Sequence, residues 1–162
     1  MRASQISEVE QEIAAALQQD SAWATAARRL QSVTGIGLLT AATILTATVK
    51  FTLCPTAEAA TAYAGLAPNL YQSGTSVRGR ATIGHAGHSQ LRRVLYLASL
   101  SAARYNPGVK PFYDRLRAAG KPPKVARCAA ARKLLHIAWA VVTKNCDFDP
   151  NYQQRVGVAM LG

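Results

Sequence analysis

The sequence predicts a mainly α-helical domain, and three observations lead to this prediction. Apolar residues recur at intervals of three and four along most of the chain, which is the spacing of a buried helix face. Glycine and proline fall between these stretches, and no stretch shows the sustained alternation of a strand. The 162 residues, 49% of them hydrophobic, are enough for one compact core.

Residues 1–20 are predicted to form a coiled-coil stub or an N-terminal helix. Four apolar residues repeat there at intervals of three, four and three: Ile6, Val9, Ile13 and Ala16. Because barely two heptads are short for a free helix, the segment either continues a longer coiled coil or packs against the rest of the domain. The helical domain itself is predicted to span residues 21–146, and residues 147–162 are predicted to be a mobile tail.

Residues 28–48 fit a helix-hairpin-helix motif. Gly35 and Gly37 are predicted to make its tight turn, and Ala41 would let the second helix pack close to the first. Its small core is expected to consist of Leu30, Ile36 and Ile44. Such a hairpin exposes backbone N–H groups at a helix N-terminus, where they can hold a DNA phosphate without reading sequence. The alternative is a plain helical hairpin whose glycines only make the turn.

Four more helices are predicted in the domain. They are a short helix with Pro55 near its first turn and Gly65 at its end, a helix from His88 or Ser89 to Tyr105, a helix over Val109–Ala119, and a long helix over Pro123–Lys144. The long helix is apolar nearly all round in its later part, so it is predicted to be the buried central helix. Its core positions are expected to be Val125, Cys128, Leu135, Ala138 and Val142.

The helix that starts near Ser89 is predicted to have a core side and a phosphate side. Its core side is expected to carry Leu91, Leu95, Ala98 and Ala102. Arg92, Tyr96 and Ser99 share a different face, which could contact phosphate.

The charge of the chain is strongly positive and unevenly distributed. The net charge is +11, and residues 78–133 hold thirteen lysines and arginines against one acid, Asp114. A field of this extent attracts polyanions. The sequence therefore predicts a nucleic-acid partner.

Residues 69–87 form a glycine-rich loop that carries the candidate chemistry. Ser73 could attack a phosphodiester, Ser76 is the alternative, and Arg78 and Arg80 could stabilise the charge on the phosphate. Most loop serines only bond nearby backbone, so a purely structural role for Ser73 stays open. No metal site is predicted, because the acids are scattered and the two loop histidines lack a third ligand.

Several blocks of the sequence together resemble a known family. They are LQSVTGIGLLTAATIL, AYAGLAP, QSGTSVRGRATIGHAGHSQLRRVLYLASLSAARYNP and FYDRLRAAGKPPKVARCAAARKLLHI, in this order over roughly residues 28–150. They are similar to the C-terminal transposase domain of the DEDD-type insertion-sequence transposases. These are relatives of Piv-type DNA invertases and include the RNA-guided bridge recombinases.

The resemblance implies a nucleophilic serine, which carries over to Ser73, with Ser76 as a less certain match. His85 stands near a position where the family usually has lysine or arginine, so it is expected to take over a phosphate contact. Arg92 and Arg93, together with Arg78, Arg80, Gly35 and Gly37, are expected to contact nucleic acid. The implied function is DNA strand cleavage and exchange in transposition.

The resemblance also implies partners. The family carries an Asp-Glu-Asp-Asp metal site in an N-terminal RuvC-like domain, and these 162 residues do not include that domain. The isolated chain is therefore expected to be inactive without an RuvC-like half or a full-length transposase. Magnesium is expected only in that half, and no cofactor is expected in this chain. DNA, a structured guide RNA and further copies of the chain are the other partners considered.

Two alternatives remain at this point. The chain could be a non-catalytic helix-hairpin-helix nucleic-acid-binding protein or an inactive transposase fragment, and it could also be a purely structural module that forms oligomers. A cytoplasmic, nucleoid-associated location in bacteria is expected, because no apolar run reaches the roughly 18–20 residues of a membrane span and no secretory signal is visible.

Overall fold

The computed structural model describes residues 3–67 and 87–151, and these two ranges contain seven helices and no strand. The helices are α1 (Ala3–Gln18), α2 (Ser21–Gln31), α3 (Leu38–Thr48), α4 (Ala57–Ala64), α5 (Ser89–Tyr105), α6 (Lys110–Ala118) and α7 (Pro123–Thr143). The mainly α-helical prediction is confirmed. Nearly all of the predicted serine loop lies outside the described residues.

Side chains at the helix starts explain where three of the helices begin. The Asp20 carboxylate accepts the backbone N–H of Ala22 at 2.9 Å before α2, and the Thr56 hydroxyl accepts that of Ala59 at 3.0 Å before α4. His88 caps α5 in the same way, because its Nδ1 accepts the N–H of Leu91 at 3.1 Å. Each bond satisfies a donor that the first helical turn leaves without a partner. Since Thr56 is the cap, Pro55 lies one residue before it and close to the first turn of α4, as predicted.

Helix α7 is the central helix of the fold, as predicted. It packs against α2, α4, α5 and α6, and six of its residues are completely buried: Ala126, Ala130, Ala131, Leu134, Leu135 and Ala138. The prediction for Val125 is wrong, because this side chain is 51% exposed. It lies in the first turn of α7, one residue before the completely buried Ala126.

Helices α2 and α3 pack against each other across a short turn, and Leu30, Ile36, Ala41 and Ile44 are buried between the helices as expected. Gly35 has φ +106°, a backbone conformation that side chains rarely tolerate. Gly37 instead has φ −92° and ψ −175°, which any residue adopts. The turn therefore requires glycine at Gly35 and not at Gly37.

The three residues after α3 continue in the left-handed region. Val49, Lys50 and Phe51 have φ values of 51°, 55° and 62°. The Lys50 N–H donates to the Leu45 carbonyl at 2.7 Å, and the Phe51 N–H donates to the Thr48 hydroxyl at 2.9 Å. Left-handed backbone costs an ordinary residue roughly 1–2 kcal/mol, and the complete burial of the Phe51 ring offsets this strain.

Helix α1 packs on the domain only in part. It contacts α2 and α3, and Leu17 near its end packs against the core. Ile6 and Val9, in its first half, are 45% and 43% exposed. The predicted apolar stripe is therefore covered at one end of α1 and uncovered at the other.

The residues after α7 contact the helical body. Arg29 of α2 donates through Nε to the Asn145 side chain at 3.0 Å and pairs with Asp147 at 3.3 Å. The Phe148 N–H donates to the Ser32 hydroxyl at 2.9 Å, and the Phe148 ring packs against the core. The first residues of the segment predicted to be a mobile tail thus take part in packing, and residues 152–162 lie outside the described range.

Asn106 connects the end of α5 to the turn between α2 and α3. Its completely buried side chain donates from Nδ2 to the Thr34 carbonyl at 2.8 Å. Its Oδ1 accepts the N–H groups of Gly108 at 2.7 Å and Val109 at 3.2 Å. One amide group therefore satisfies backbone atoms in two parts of the chain that are 72 residues apart.

We expect Asn106→Ala to lower the free energy of unfolding by about 2–3 kcal/mol, because buried N–H groups would lose their acceptor. For a domain of this size that corresponds to a melting temperature roughly 5–10 °C lower, measured by circular dichroism. Asn151→Ala, at an exposed position, is the matched control and should change stability by less than about 0.5 kcal/mol. Equal melting temperatures for the two variants would contradict the assignment.

Candidate nucleic-acid interface

The segments that precede and follow the predicted serine loop contact each other at Tyr63 and His88. The His88 N–H donates to the Tyr63 carbonyl at 2.8 Å, and the two aromatic rings lie 5.8 Å apart. The Tyr63 hydroxyl donates to the Ala47 carbonyl at 2.9 Å and so connects this point to α3. We refer to Tyr63–Leu66 with Gly87–Arg92 as the loop base, because the chain enters and leaves the loop from these residues.

Two guanidinium groups contact the loop base. Arg92 donates from Nη1 to the Ala64 carbonyl at 3.5 Å, and Arg132 of α7 donates from Nη1 to the Leu66 carbonyl at 3.3 Å. A guanidinium group has five N–H donors in a fork that fits a phosphate, so one carbonyl contact leaves further donors. Arg92 was predicted from the sequence and Arg132 was missed.

The start of α3, where phosphate contact was predicted, has open space beside it. Gly37 precedes the helix with extended backbone and no side-chain hydrogen bond that would cap α3. The residue is exposed, and a Cβ atom added to it would meet no heavy atom within 4 Å. The backbone N–H groups in the first turn of α3 therefore lie next to open space, where an acceptor from another molecule could reach them.

The other predicted contact residues are distributed unevenly. Gly35 packs against Ala102 of α5, so its role in this structure is to shape the turn. Arg93 is exposed on α5. The remaining predicted site residues lie outside the described ranges: Ser73, Ser76, Arg78, Arg80 and His85.

The predicted phosphate side of α5 needs one correction. Ser99 is completely buried, and its hydroxyl donates to the Tyr96 carbonyl one turn earlier. Ser99 therefore cannot contact a ligand. The helix face that carries Arg92 is partly exposed at Arg92 and is buried in the core where it reaches Ser99. Arg92 and Tyr96 remain partly exposed.

A cavity of about 530 Å³ lies along α7, next to the loop base. We call it the α7 cavity. Its lining includes aromatic and aliphatic side chains from α6, α7 and the segment after α7, and also Arg132, Lys133, His136 and Lys144. Arg132 therefore lines the cavity and also contacts the loop base.

Burial changes the ionisation of two groups in this lining. Burial, and to a smaller extent the charge of Arg115, lowers the pKa of Lys133. Burial is also the main reason why the pKa of His136 lies below its usual value; nearby Glu58 opposes this shift, and Arg132 and Lys133 add to it. His136 is therefore neutral at pH 7 and can both donate and accept a hydrogen bond.

Within residues 3–67 and 87–151, His, Cys, Asp and Glu do not form any group of three or more that could hold a metal ion. In the same ranges no helix is both long and apolar enough to cross a membrane.

The described residues form a helical domain in which the guanidinium groups of Arg92 and Arg132 bond to carbonyl groups of the loop base. Residues 27–114, which include α3, α4, α5 and the loop, match the Transposase IS116/IS110/IS902 family. The chain belongs to this transposase family.

Three curated relatives are similar to the chain over most of its length. It is 33% identical over 133 residues to the uncharacterized 43.6 kDa protein of insertion element IS110 from Streptomyces coelicolor, covering 80% of this chain and 32% of that protein. It is 36% identical over 122 residues to the pilin gene-inverting protein of Moraxella bovis, with coverage of 74% and 38%. The uncharacterized 42 kDa protein of insertion element IS900 from Mycobacterium paratuberculosis is 31% identical over 120 residues, with coverage of 74% and 30%. The chain thus spans about a third of the length of these relatives.

Proposed function

We propose that this chain is a DNA-binding domain of a transposase or recombinase and that it supplies a nucleophilic serine for DNA strand cleavage and exchange. Membership of the transposase family supports the reaction class. The similarity to a pilin gene-inverting protein supports DNA as the substrate, since inverting a gene requires strands to be cut and rejoined.

The observation that carries the proposal is the loop base. Both ends of the serine-bearing segment start from one point, beside the guanidinium groups of Arg92 and Arg132. A phosphodiester bound at the loop base would therefore lie close to two cations. Preorganised positive charge of this kind stabilises the extra negative charge of a phosphoryl-transfer transition state.

The proposed chemistry is attack by the Ser73 hydroxyl on a phosphodiester. A bond forms between Oγ and phosphorus, and the bond from phosphorus to one sugar oxygen breaks. The serine proton leaves to a base and the sugar oxygen takes up a proton, so that a phosphoserine link and a free DNA hydroxyl result. Ser76 is the alternative nucleophile. Arg78, Arg80 and His85 are proposed to contact the same phosphate.

The partners of this reaction follow from the family resemblance. An RuvC-like half would supply the metal-binding acids and hold Mg²⁺, and this chain would supply the serine. A structured guide RNA and further copies of the chain are proposed as additional partners. A location on the bacterial nucleoid is consistent with the net charge of +11.

A second candidate function is nucleic-acid binding without catalysis by a helix-hairpin-helix. The open start of α3 favours it, because phosphate contact there needs no serine. Both functions predict DNA binding, and only the first predicts a covalent link to DNA.

Substituting Gly37 tests the start of α3. Gly37→Asp would place a carboxylate where a phosphate is proposed to bind, while a helix cap of this type is at least as stable as glycine. We expect unchanged or slightly higher thermal stability and a Kd for duplex DNA that is at least about tenfold higher, a loss of about 1.4 kcal/mol. Fluorescence anisotropy with a labelled duplex of random sequence measures the Kd.

Two controls accompany this experiment. Ala119→Asp makes the same charge change at an exposed site at the end of α6 and should raise the Kd by less than about threefold at 150 mM salt, where distant charges are screened. Affinity of the unsubstituted chain should fall steeply between 50 and 200 mM salt, as expected for several phosphate contacts. Equal increases in Kd for Gly37→Asp and Ala119→Asp would mean that the start of α3 is a turn with no role in DNA binding.

A further inference from the structure

The α7 cavity contains an aromatic ring that is already flanked by two cations. The Lys133 amine lies 4.9 Å from the centre of the Phe112 ring, and the Arg115 guanidinium lies 5.6 Å from it. In the described part of the chain, ion pairs form at Arg29–Asp147 and Lys110–Asp114, and neither involves Lys133. Lys133 is thus a partly desolvated cation without a carboxylate partner there. Such a group is suited to an anionic ligand.

The charges around the cavity favour an anion that carries an aromatic group. Arg132, Lys133 and Lys144 contribute three positive charges, and Asp147 and Asp149 contribute two negative charges. Asp147 is paired with Arg29 at 3.3 Å. Most of the remaining lining is aliphatic or aromatic, and it includes Phe112, Trp139, Ala140 and Phe148.

The size and position of the cavity further restrict the kind of ligand that it could bind. About 530 Å³ falls in the range of small-molecule sites, roughly 300–1,000 Å³, which is enough for one nucleotide and too narrow for a double helix. Through Arg132 the cavity adjoins the Leu66 carbonyl at the loop base. A nucleotide in the cavity would therefore lie next to the loop base.

We propose that the α7 cavity binds one unpaired nucleotide of single-stranded DNA, with the base against Phe112 and Phe148 and the phosphate facing Lys133 and Arg132. Neutral His136 can bond to the edge of the base. Aromatic side chains bind bases of any sequence by stacking, and a basic groove holds the backbone. That this nucleotide lies next to the cleaved bond depends on the proposed function. That the cavity binds single-stranded DNA does not depend on it.

The experiment follows the fluorescence of Trp139 in the 162-residue chain. Trp139 lines the cavity, and Trp23→Phe removes the other tryptophan. Titration with a 12-nucleotide thymidine strand should quench Trp139 to saturation. A strand of equal length with abasic sugars has the same phosphates and no bases, and its Kd should be at least about tenfold higher.

Two variants assign the quenching to the cavity. Lys133→Gln should raise the Kd of the thymidine strand about tenfold, whereas Lys124→Gln, which makes the same charge change at an exposed position of α7, should raise it less than about twofold. Ala140→Leu fills the cavity without changing charge and should abolish saturable quenching while leaving a cooperative thermal transition.

Several results would overturn the proposal. Equal Kd values for the thymidine and abasic strands, or equal effects of the two lysine variants, would reduce the binding to general charge. At least tenfold tighter binding of a uridine RNA strand would assign the cavity to RNA. Self-association that is detected by sedimentation and lost in Ala140→Leu would assign it to a second copy of the chain. The titration requires no cleavage, so retained quenching with a failed Ser73 experiment would remove only the serine chemistry.

Discussion

Ser73→Ala is expected to abolish a covalent link between this chain and DNA when the RuvC-like half is supplied. Alanine has no oxygen that could bond to phosphorus, and loss of a catalytic nucleophile lowers rates by at least about 10³-fold. Binding of DNA should stay within about twofold, because a single hydroxyl contributes little to a surface that binds through charge. The measurement is a denaturing gel with suicide substrates that trap the adduct. Without the RuvC-like half, the chain is expected to bind DNA and not to cut it.

Ser76→Ala is the matched control, three residues along the same loop. It should retain the adduct if Ser73 is the nucleophile. Loss of the adduct only in Ser76→Ala would transfer the role to Ser76. An adduct that survives both substitutions would end the serine hypothesis and leave the non-catalytic binding function.

Gly35→Ala is expected to be the most destabilising of the single alanine substitutions considered for this fold. The residue has φ +106°, and a Cβ atom there would lie 3.0 Å from Ala102 Cβ and 3.2 Å from the Ala102 backbone. Strained backbone costs about 1–3 kcal/mol, and overpacking against a helix costs about 1–3 kcal/mol more. We expect a total loss of about 2–5 kcal/mol and a melting temperature lower by roughly 5–15 °C, measured by differential scanning calorimetry.

Two other glycines separate the causes of this loss. Gly120 has φ +92° with nothing within 4 Å of an added Cβ, so Gly120→Ala carries strain without collision. Gly37→Ala carries neither and should cost less than about 1 kcal/mol through its poorer helix cap. The order Gly35, Gly120, Gly37 is therefore expected for the loss of stability. Equal losses of stability for Gly35→Ala and Gly120→Ala would show that the contact of the added Cβ atom with α5 does not destabilise the fold.

The positions of the helices could be predicted because local signals determine them. Gly65 ends α4 with φ +76°, and Asn106-Pro107 ends α5, as their residue types indicate. The long apolar pattern of α7 correctly identified the central helix. Errors arose where only packing decides, as at Val125, whose position fits the apolar repeat although its side chain is 51% exposed.

The candidate site was predictable only in part. Arg92 could be assigned because it lies close in sequence to the serine loop. Arg132 is 66 residues from the Leu66 carbonyl that it contacts, and no local pattern links the two. One signal was present: Arg132 and Lys133 lie between buried apolar residues of α7, with Ala129–Ala131 before them and Leu134 and Leu135 after them. Charged groups in such a position require partners, and a search for those partners would have pointed to the loop base.

By itself the sequence determined the helical class of this protein, the limits of its helices, its basic charge and its family resemblance, because each of these depends on neighbouring residues or on composition. Tertiary structure alone decided which of two glycines needs its special conformation, where the Asn106 amide finds its partners 72 residues away, and how Arg132 reaches the loop base. These features depend on contacts between segments that are distant in the chain. Such contacts form only when the helices pack, and the spacing of residues along one helix does not record them.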